Sequence, residues 1–193
     1  QFRLVIYLKE KNIMDNFLWV EEFRPRKVAD CILPIQIKEV FQGFVEDGKI
    51  PNLLLSGPAG VGKTTVAKAM CDEIGVDNLM INGSNEGRNI DTVRTTLNQF
   101  CSSVSMTGNR KAVIMDEGDY MNPDSVQPAL RGFIEEFSGN CRFIFTCNYK
   151  NRIIPALHSR TTVIDFKIPA DQKPTLAKQM LARCKNICEL ENI

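Results

Sequence analysis

The stretch Leu53-Leu54-Leu55-Ser56-Gly57-Pro58-Ala59-Gly60-Val61-Gly62-Lys63-Thr64 decides the fold, because a short apolar run enters a glycine-rich loop that opens a helical pattern. The spacing Gly57-x-x-x-x-Gly62-Lys63-Thr64 between a predicted strand and a predicted helix is typical of a P-loop. Glycines let backbone N–H groups approach phosphate oxygens, and the helix N-terminus adds the positive end of its dipole. We expect Lys63 to reach the β and γ phosphates of a nucleotide and Thr64 to give its hydroxyl to Mg²⁺. An ordinary glycine-rich turn is the alternative, but this residue order between these elements favours the P-loop.

Further apolar runs along the chain alternate with segments of helical spacing, which predicts a parallel sheet with crossover helices. The five predicted strands are Leu53–Leu55, Leu79–Ile81, Ala112–Met115, Phe143–Thr146 and Val163–Phe166. The predicted helices between them are Thr64–Ile74, Asp91–Cys101 and Ser125–Phe137. Because strands that are apolar throughout are covered on both faces, we expect an α/β fold, a doubly wound five-stranded parallel sheet with helices on both faces.

After Pro169 the pattern changes to one long helix. Its apolar residues share one face, namely Leu176, Met180, Leu181, Cys184, Ile187 and Cys188. Since such a face needs a partner, we expect residues 170–193 to begin a helical domain that is cut short here. The predicted organisation is an N-terminal extension over 1–13, the α/β domain over 14–169 and this helix. Because the first Met is Met14, residues 1–13 are interpreted either as part of an upstream segment or as a non-native extension.

An acidic pair follows the third predicted strand. Lys111-Ala112-Val113-Ile114-Met115 runs into Asp116-Glu117-Gly118-Asp119. The carboxyl ends of parallel strands face the ligand crevice, so we expect Asp116 to hold the Mg²⁺ shell and Glu117 to polarise an attacking water. The alternative is a pair of carboxylates on a solvated sheet edge, which the upstream P-loop disfavours. Asp119 is interpreted as a surface turn residue.

Two residues later in the chain carry a weaker signal. Asn148 follows the strand Phe143–Thr146 and would place an amide near the same crevice, where it could orient a water, although Asn after a strand is usually a turn former. Arg160 follows a short predicted helix. An arginine in that setting is more often a salt-bridge partner than a catalytic group.

Composition bounds the function classes. The chain has 24 Lys and Arg against 23 Asp and Glu, and the resulting net charge of +1 gives no global field for nucleic acid. Its 7 cysteines lack paired spacing, so we expect free thiols in a reducing, intracellular compartment, with Cys184 and Cys188 as core thiols rather than metal ligands. No apolar run approaches the length of a membrane helix, so we expect no membrane contact.

Taken together, these motifs resemble the AAA+ family, and within it the clamp-loader ATPases of DNA replication. The resemblance covers about Trp19 to Ile168. It rests on Trp19-Val20-Glu21-Glu22-Phe23-Arg24-Pro25, Asn82–Arg94, Gln127-Pro128-Ala129-Leu130-Arg131 and Ser159-Arg160. Three segments are specifically similar to the ATPase (large) subunit of T4-type bacteriophage clamp loaders, namely Asp30–Pro34, Gly48–Pro51 and Gly62–Ala69.

The resemblance implies an ATP and Mg²⁺ site shared between subunits of an oligomeric ring. It implies that the residues bordering adenine are Val20, Glu21, Glu22, Phe23 and Ile32, and that Gly57 to Thr64 with Thr65 bind the phosphates. Lys63, Asp116, Glu117 and Asn148 would serve catalysis, with Thr64 and Asp116 on the metal. Arg160 would be a finger that enters a neighbouring subunit's site, so that hydrolysis depends on assembly.

The sequence departs from the family pattern at three points. Thr161 follows Arg160 where the family usually has Cys, and Gly118 stands where Ala or Phe is usual. Because Arg160 carries the charge, we expect the first change to matter little. The lid beyond its first helix is absent from the sequence, and with it the second sensor arginine, so we expect weak ATP binding and poor assembly.

The partners implied by the resemblance are other clamp-loader subunits, a sliding clamp and primer-template DNA. Backbone contact with DNA needs no base reading, and Arg88 and Arg94 are the candidates, a solvated charged face being the alternative. The implied location is the cytoplasm, that of an infected bacterium for a phage protein.

Two other functions stay open: another AAA+ DNA motor, such as a helicase loader or branch-migration motor, and a noncatalytic nucleotide-binding scaffold. A P-loop GTPase is disfavoured because such proteins recognise guanine with an Asn-Lys-x-Asp motif. The segment Asn148-Tyr149-Lys150-Asn151 does not match that motif.

Overall fold

A computed structural model describes residues 19–105 and 110–191. The predicted extension over residues 1–13 lies outside the described residues, and the domain division at 169 stays a prediction. Five strands form one sheet, namely β1 (Leu53–Ser56), β2 (Asn78–Asn82), β3 (Lys111–Asp116), β4 (Cys141–Cys147) and β5 (Thr162–Asp165). The α-helices are α1 (Trp19–Glu22), α2 (Ile35–Glu46), α3 (Lys63–Ile74), α4 (Ile90–Ser102), α5 (Val126–Glu136), α6 (Pro155–His158) and α7 (Lys173–Leu190). Short 3-10 turns cover Val28–Asp30, Glu86–Arg88, Gly118–Tyr120 and Lys150–Arg152.

The sheet is parallel throughout and has the order β2-β3-β4-β1-β5. All five predicted strands are confirmed, with one small difference at the end of β5. Phe166 lies just beyond that strand and packs its ring against Phe41, with centroids 6.1 Å apart. The carboxyl ends of β3, β4 and β1 are therefore neighbours at one edge of the sheet.

Helices cover both faces of the sheet, as the apolar strands predict. Along β1, Leu54 belongs to one buried cluster with residues of α4 and α5. Leu53 and Leu55 belong to the other cluster, with residues of α2 and α3. This alternation follows from the two-residue period of a strand. β1 therefore contributes to both cores.

The helix α5 accommodates Pro128 without a break, because Pro128 is the third residue of Val126–Glu136 and lies in the first turn. The preceding residue, Gln127, is fully buried. Its Nε2 donates to the carbonyls of Met121 (3.1 Å) and Arg152 (3.0 Å), and its Oε1 accepts from the N–H of Ile154 (2.8 Å). Gln127 thus joins α5 to the loops that follow β3 and β4.

The last helix, α7, confirms the predicted long helix but buries none of its residues within the described part of the chain. Cys184 is exposed and Cys188 is half-buried, so the prediction that both are core thiols is wrong. The physical reason is that α7 packs only at the edge of the domain. The described residues contain no group of three or more His, Cys, Asp or Glu side chains that could together hold a metal ion. No described helix is long and apolar enough to cross a bilayer.

Candidate functional site

The P-loop has a backbone shape that requires glycine at specific positions. Gly62, the N-cap that precedes α3, has a φ of 90°, a conformation that residues with a side chain rarely adopt. Gly57 lies so close to Phe166 that an added Cβ would be 2.8 Å from the Phe166 Cβ and carbonyl oxygen. The loop can therefore wrap tightly before the helix because these two residues lack side chains.

Lys63 is almost fully buried at the first turn of α3, with 8% of its surface exposed. Its Nζ donates to the carbonyls of Gly57 (2.7 Å) and Pro58 (2.8 Å) and to Oδ1 of Asn148 (2.9 Å). Burial lowers the pKa of this ammonium group, while the charges of nearby acidic groups act in the opposite direction. All three donors are held by neutral oxygens, so phosphate oxygens would be stronger acceptors at the same position.

Three side chains from neighbouring segments meet at the carboxyl edge of the sheet. Oδ1 of Asp116 accepts hydrogen bonds from the hydroxyls of Thr64 (2.6 Å) and Thr146 (2.5 Å). Asp116 ends β3, Thr146 belongs to β4, and Thr64 follows β1. A hydroxyl and a carboxylate at this separation form an oxygen donor set of the kind that Mg²⁺ prefers, so the residues fit the predicted metal.

Glu117 is the only described non-glycine residue with positive φ, at φ 53° and ψ 44°. This left-handed conformation costs free energy for a residue with a side chain. The Glu117 N–H donates to the Thr146 hydroxyl (3.1 Å), which holds this turn, and the Glu117 carbonyl oxygen comes so close to Gly83 that a Cβ added there would lie 2.5 Å from it. The strained backbone turns the chain immediately after Asp116, where the acidic pair was predicted to act.

Asn148 lies at the same edge, in hydrogen-bond contact with Lys63. Its backbone N–H donates to Oδ1 of Asp119 (3.3 Å). Asp119 itself is buried, with 6% exposed, and its Oδ2 has no partner among the described residues. The prediction that Asp119 is a surface turn residue is therefore wrong. The reason is that the turn after Glu117 folds back under β4 instead of leaving the sheet.

A cleft of about 550 Å³ adjoins the P-loop. Residues Gly60 to Thr65 form one wall, and the α7 residues Leu176, Met180 and Arg183 form another. Among the predicted adenine-bordering residues, Ile32 lines the cleft. The mostly apolar wall opposite a cationic loop suits a ligand with a flat base and a phosphate tail.

The segment Val20–Phe23 lies beside this cleft but does not line it. Pro25 is the residue of the N-terminal segment that reaches the lining. Glu21 instead pairs with Arg24 and with Lys68, 3.6 Å away. Arg183 connects the segment to α7 by donating to the carbonyl of Phe23 (2.6 Å). That Val20, Glu21, Glu22 and Phe23 border a base stays a prediction.

Arg160 makes no hydrogen bond to a P-loop residue among the described residues, and it pairs instead with a residue of α5. Its Nε donates to Oε1 of Glu135 on α5 (2.8 Å), and its Nη2 binds the same oxygen. Its Nη1 also donates to the carbonyl of Ala156 (2.9 Å). The hydrogen bond from Arg160 lowers the pKa of Glu135, which stands on the exposed face of α5. Within one chain, Arg160 is thus a surface salt-bridge residue.

The two arginines predicted to contact DNA are both exposed and lie six positions apart in consecutive elements. Arg88 ends the 3-10 turn Glu86–Arg88, and Arg94 lies in the second turn of α4. Asn89 caps this helix by accepting from the N–H groups of Asp91 (2.9 Å) and Thr92 (3.4 Å). Their contact with DNA stays a prediction.

Sequence reasoning missed Thr146, Asp119 and Arg183. Thr146 precedes the Cys147-Asn148 pair, and a hydroxyl at the end of an apolar strand was its only local signal. Arg183 is separated from Phe23 by 160 positions, so no local pattern relates them. The structure brings together Lys63, Thr64, Asp116, Glu117 and Asn148, and leaves Arg88, Arg94 and Arg160 outside this group.

Comparison with known proteins agrees with this geometry. The family model for AAA, the ATPase family associated with various cellular activities, matches residues 53–169. The sliding-clamp-loader large subunits of Escherichia phage RB69 and Enterobacteria phage T4 are 42% and 41% identical over 175 residues, covering 90% of this chain and 54% of each relative. The replication factor C small subunit of Archaeoglobus fulgidus is 37% identical over 187 residues, with 93% and 56% covered. The chain thus spans about half the length of the curated relatives it matches.

Solved structures show the same fold at lower identity. The Thermotoga maritima RuvB Holliday junction branch migration motor matches with a TM-score of 0.66 and 19% identity, covering 88% of this chain and 55% of that one. Its A156S mutant gives a TM-score of 0.68 at 18% identity. At such identities the likeness concerns the fold alone.

We predict that replacing Thr146 by Val lowers the free energy of unfolding by about 1–3 kcal/mol, because the Glu117 N–H and Asp116 each lose a buried hydrogen-bond partner. Thr146→Ser keeps the hydroxyl and is the matched control. Urea unfolding of the two variants measures the difference. Equal stability of Thr146→Val and the parent chain would contradict the bracing role of this hydroxyl.

Proposed function

Because the chain belongs to the AAA family of ATPases, we propose that it binds ATP with Mg²⁺ and hydrolyses it as a subunit of a sliding-clamp loader. The observation that carries the proposal is the meeting of Lys63, Thr64, Asp116 and Asn148 at one sheet edge through hydrogen bonds of 2.6 to 2.9 Å. The relatives named as clamp-loader and replication factor C subunits support the specific assignment. Since the match covers about half of each relative, the loader activity is proposed for the whole protein.

Nucleotide binding follows from the P-loop and the adjoining cleft. The backbone of Gly57 to Thr64, with Thr65, surrounds the phosphates, and the base lies against the apolar wall that Ile32 and Leu176 provide. Lys63 exchanges its neutral carbonyl and amide partners for phosphate oxygens. Because Lys63 is buried, its charge acts in a medium of low dielectric constant and is worth more than in water.

Two side chains at the carboxyl edge of the sheet would hold the metal. Thr64 and Asp116, already 2.6 Å apart, would hold Mg²⁺, which neutralises charge on the phosphates when bound. Thr146 donates to the same oxygen of Asp116 and so helps to orient the carboxylate. The chain therefore supplies both ligands from elements that the sheet already fixes.

Hydrolysis requires a water, a base and a group that orients the water. Glu117 follows Asp116 on a backbone held in one conformation and accepts the proton as water attacks the γ-phosphorus. The bond between that phosphorus and the ADP oxygen breaks. ADP is the leaving group, and the P-loop stabilises the negative charge that develops on it. Asn148 orients the γ-phosphate or the water from the next strand, β4.

Assembly completes the site in this proposal. Arg160 acts on the nucleotide of a neighbouring subunit in an oligomeric ring, and it leaves Glu135 to do so. The ring partners are other loader subunits, a sliding clamp and primer-template DNA. The location that this work requires is the cytoplasm, in an infected bacterium if the gene belongs to a phage.

Two other functions receive less support. A branch-migration motor shares the fold, but the RuvB likeness at 19% identity carries no functional argument, and a helicase loader has no specific observation in its favour. A noncatalytic scaffold would not need Glu117 in a strained conformation beside an intact P-loop.

We predict that Glu117→Gln lowers ATP turnover by about 10²–10⁴-fold while ATP binding persists, because only the proton acceptor is lost. The measurement uses the full-length protein with its ring partners, clamp and primed DNA, and compares turnover with and without clamp and DNA. Glu136→Gln, at an exposed position on α5, is the control. Normal turnover in Glu117→Gln would refute the catalytic role. Failure of clamp and primed DNA to stimulate the parent protein would refute the loader function.

We predict that Arg160→Ala lowers turnover of the assembled ring by about 10³–10⁵-fold without weakening nucleotide binding to the isolated chain, because the charge acts in trans. Glu135→Gln is the matched variant, since it removes the partner and leaves Arg160 in place. It is expected to retain full turnover. Equal loss in both variants would mean that the Arg160–Glu135 pair serves only structure.

We predict that Arg94→Gln weakens binding to primed DNA and lowers the slope of log K against log salt by about 1, as expected for one lost phosphate contact. Arg131→Gln, also exposed and helical, provides the charge-matched control. Arg88→Gln tests the second candidate in the same way. An unchanged affinity and salt slope would remove the tested arginine from the contact set.

A further inference from the structure

A second cleft lies at the opposite end of the sheet from the P-loop. It has a volume of about 330 Å³ and is lined by Gly48, Lys49, Ile50, Val76, Arg110, Lys111 and Arg142. Lys111 begins β3 and Asp116 ends it, which separates the two sites by roughly 16 Å along the strand at about 3.3 Å per residue. Nothing in the proposed hydrolysis uses this end of the sheet.

The cleft is strongly cationic. Four of the described residues that line it carry positive charge, and none of these described lining residues carries a carboxylate. Across residues 19–105 and 110–191, the ion pairs involve none of Lys49, Arg110, Lys111 and Arg142. In a chain with a net charge of +1, this is a local concentration of unneutralised charge.

Lys111 fixes part of that charge inside the protein, since only 2% of its surface is exposed. Its Nζ donates to the carbonyl of Phe100 (2.7 Å), to the hydroxyl of Ser103 (2.6 Å) and to the Ser103 carbonyl, and it lies 5.0 Å from the Phe100 ring centroid. All these partners are neutral. Buried charges are usually paired, so an anion in the adjoining cleft would supply the missing countercharge.

Arg142 is held in a defined orientation at the cleft. Its Nη1 donates to the carbonyl of Cys141 (2.9 Å) and to that of Ser138, which leaves Nε and Nη2 without a partner in the described part of the chain. Burial, and then the charge of Arg110, lower the pKa of Arg142. Two guanidinium groups close enough to repel each other would be stabilised by an anion between them.

We propose that this cleft binds a phosphate group, with the Arg110 and Arg142 guanidinium groups and the Lys49 ammonium as its partners. A phosphate dianion suits this set better than a carboxylate, because it has more acceptor oxygens for two planar forks and a point charge. The group is either free phosphate or a phosphate of a nucleic-acid backbone. The inference is independent of the proposed function, since it uses no P-loop residue.

The test is a titration of the ¹⁵N-labelled chain with inorganic phosphate at constant ionic strength, followed by NMR. The amides of Gly48 and Val76 report on this cleft, whereas those of Gly60 and Gly62 report on the P-loop. We expect Gly48 and Val76 to shift, and the dissociation constant that they report to rise at least about tenfold in Arg142→Gln, the loss expected for a charged hydrogen bond. Lys178→Gln, on the exposed surface of α7, is the charge-matched control and should leave that constant unchanged.

A second variant, Lys49→Gln, changes an exposed side chain and keeps the test decisive if Arg142→Gln does not fold. Salt-dependent binding of a duplex oligonucleotide then separates the two phosphate sources. A slope reduced by about 1 in the cleft variant assigns the site to nucleic-acid backbone, and an unchanged slope assigns it to free phosphate. The proposal is overturned if Gly48 and Val76 do not respond in the parent chain, or if the dissociation constant that they report is the same in the parent chain as in both cleft variants. A response at Gly48 and Val76 without one at Gly60 and Gly62 would support phosphate binding in this cleft. It would count only against the P-loop as a phosphate site.

Discussion

The hydrogen-bonded chain Thr64–Asp116–Thr146 is the interaction on which the arrangement of the site depends. It joins the loop after β1 to the ends of β3 and β4, which are brought close by the strand order β3-β4-β1. Because Thr146 also accepts from the Glu117 N–H, the same hydroxyl orients the carboxylate that is proposed to bind the metal and the backbone of the proposed base. Shifting any one of these strands would move several functional groups together.

Lys63 and Arg160, the two charged side chains that the proposed function brings to phosphate, already have hydrogen-bond partners. The Lys63 donors are satisfied by two carbonyls and the Asn148 amide, so the buried charge is tolerated before any phosphate arrives. Arg160 is likewise occupied, by Glu135 on the surface of α5. In both cases a weaker, partly neutral or exposed partner stands where a phosphate would compete. In the proposed function, phosphate binding would therefore exchange existing hydrogen bonds for new ones, since neither group is free in solvent.

Local pattern was enough to predict the sheet, the helices and the P-loop. The run Leu53–Leu55 and the glycine spacing that follows it specify structure through neighbours in sequence, where periodicity and backbone preference act. The acidic pair could be predicted as well, because Asp116 and Glu117 follow a strand whose end must face the ligand edge of a parallel sheet.

What could not be predicted depends on contacts between distant segments. Asp119 is buried because its turn folds under β4, and Arg183 reaches Phe23 across almost the whole chain. Cys184 and Cys188 were predicted to be buried, but Cys184 is exposed and Cys188 is half-buried. An amphipathic pattern predicts that a helix face can be buried, but it does not say whether another element of the described chain covers that face. Of the residues that the resemblance implies for the adenine border, Ile32 lines the cleft, and contact of Val20 to Phe23 with a base stays a prediction.

The division of β1 between two cores has a thermodynamic consequence. Leu54 packs on one face and Leu53 and Leu55 on the other, so neither layer of helices can detach without disturbing the strand that carries the P-loop. We therefore expect unfolding to be cooperative across the whole α/β unit, and a ligand bound to that loop would stabilise both layers by mass action. If nucleotide binds there as proposed, its concentration would set both the occupancy of the P-loop and the resistance of the folded chain to heat and proteolysis.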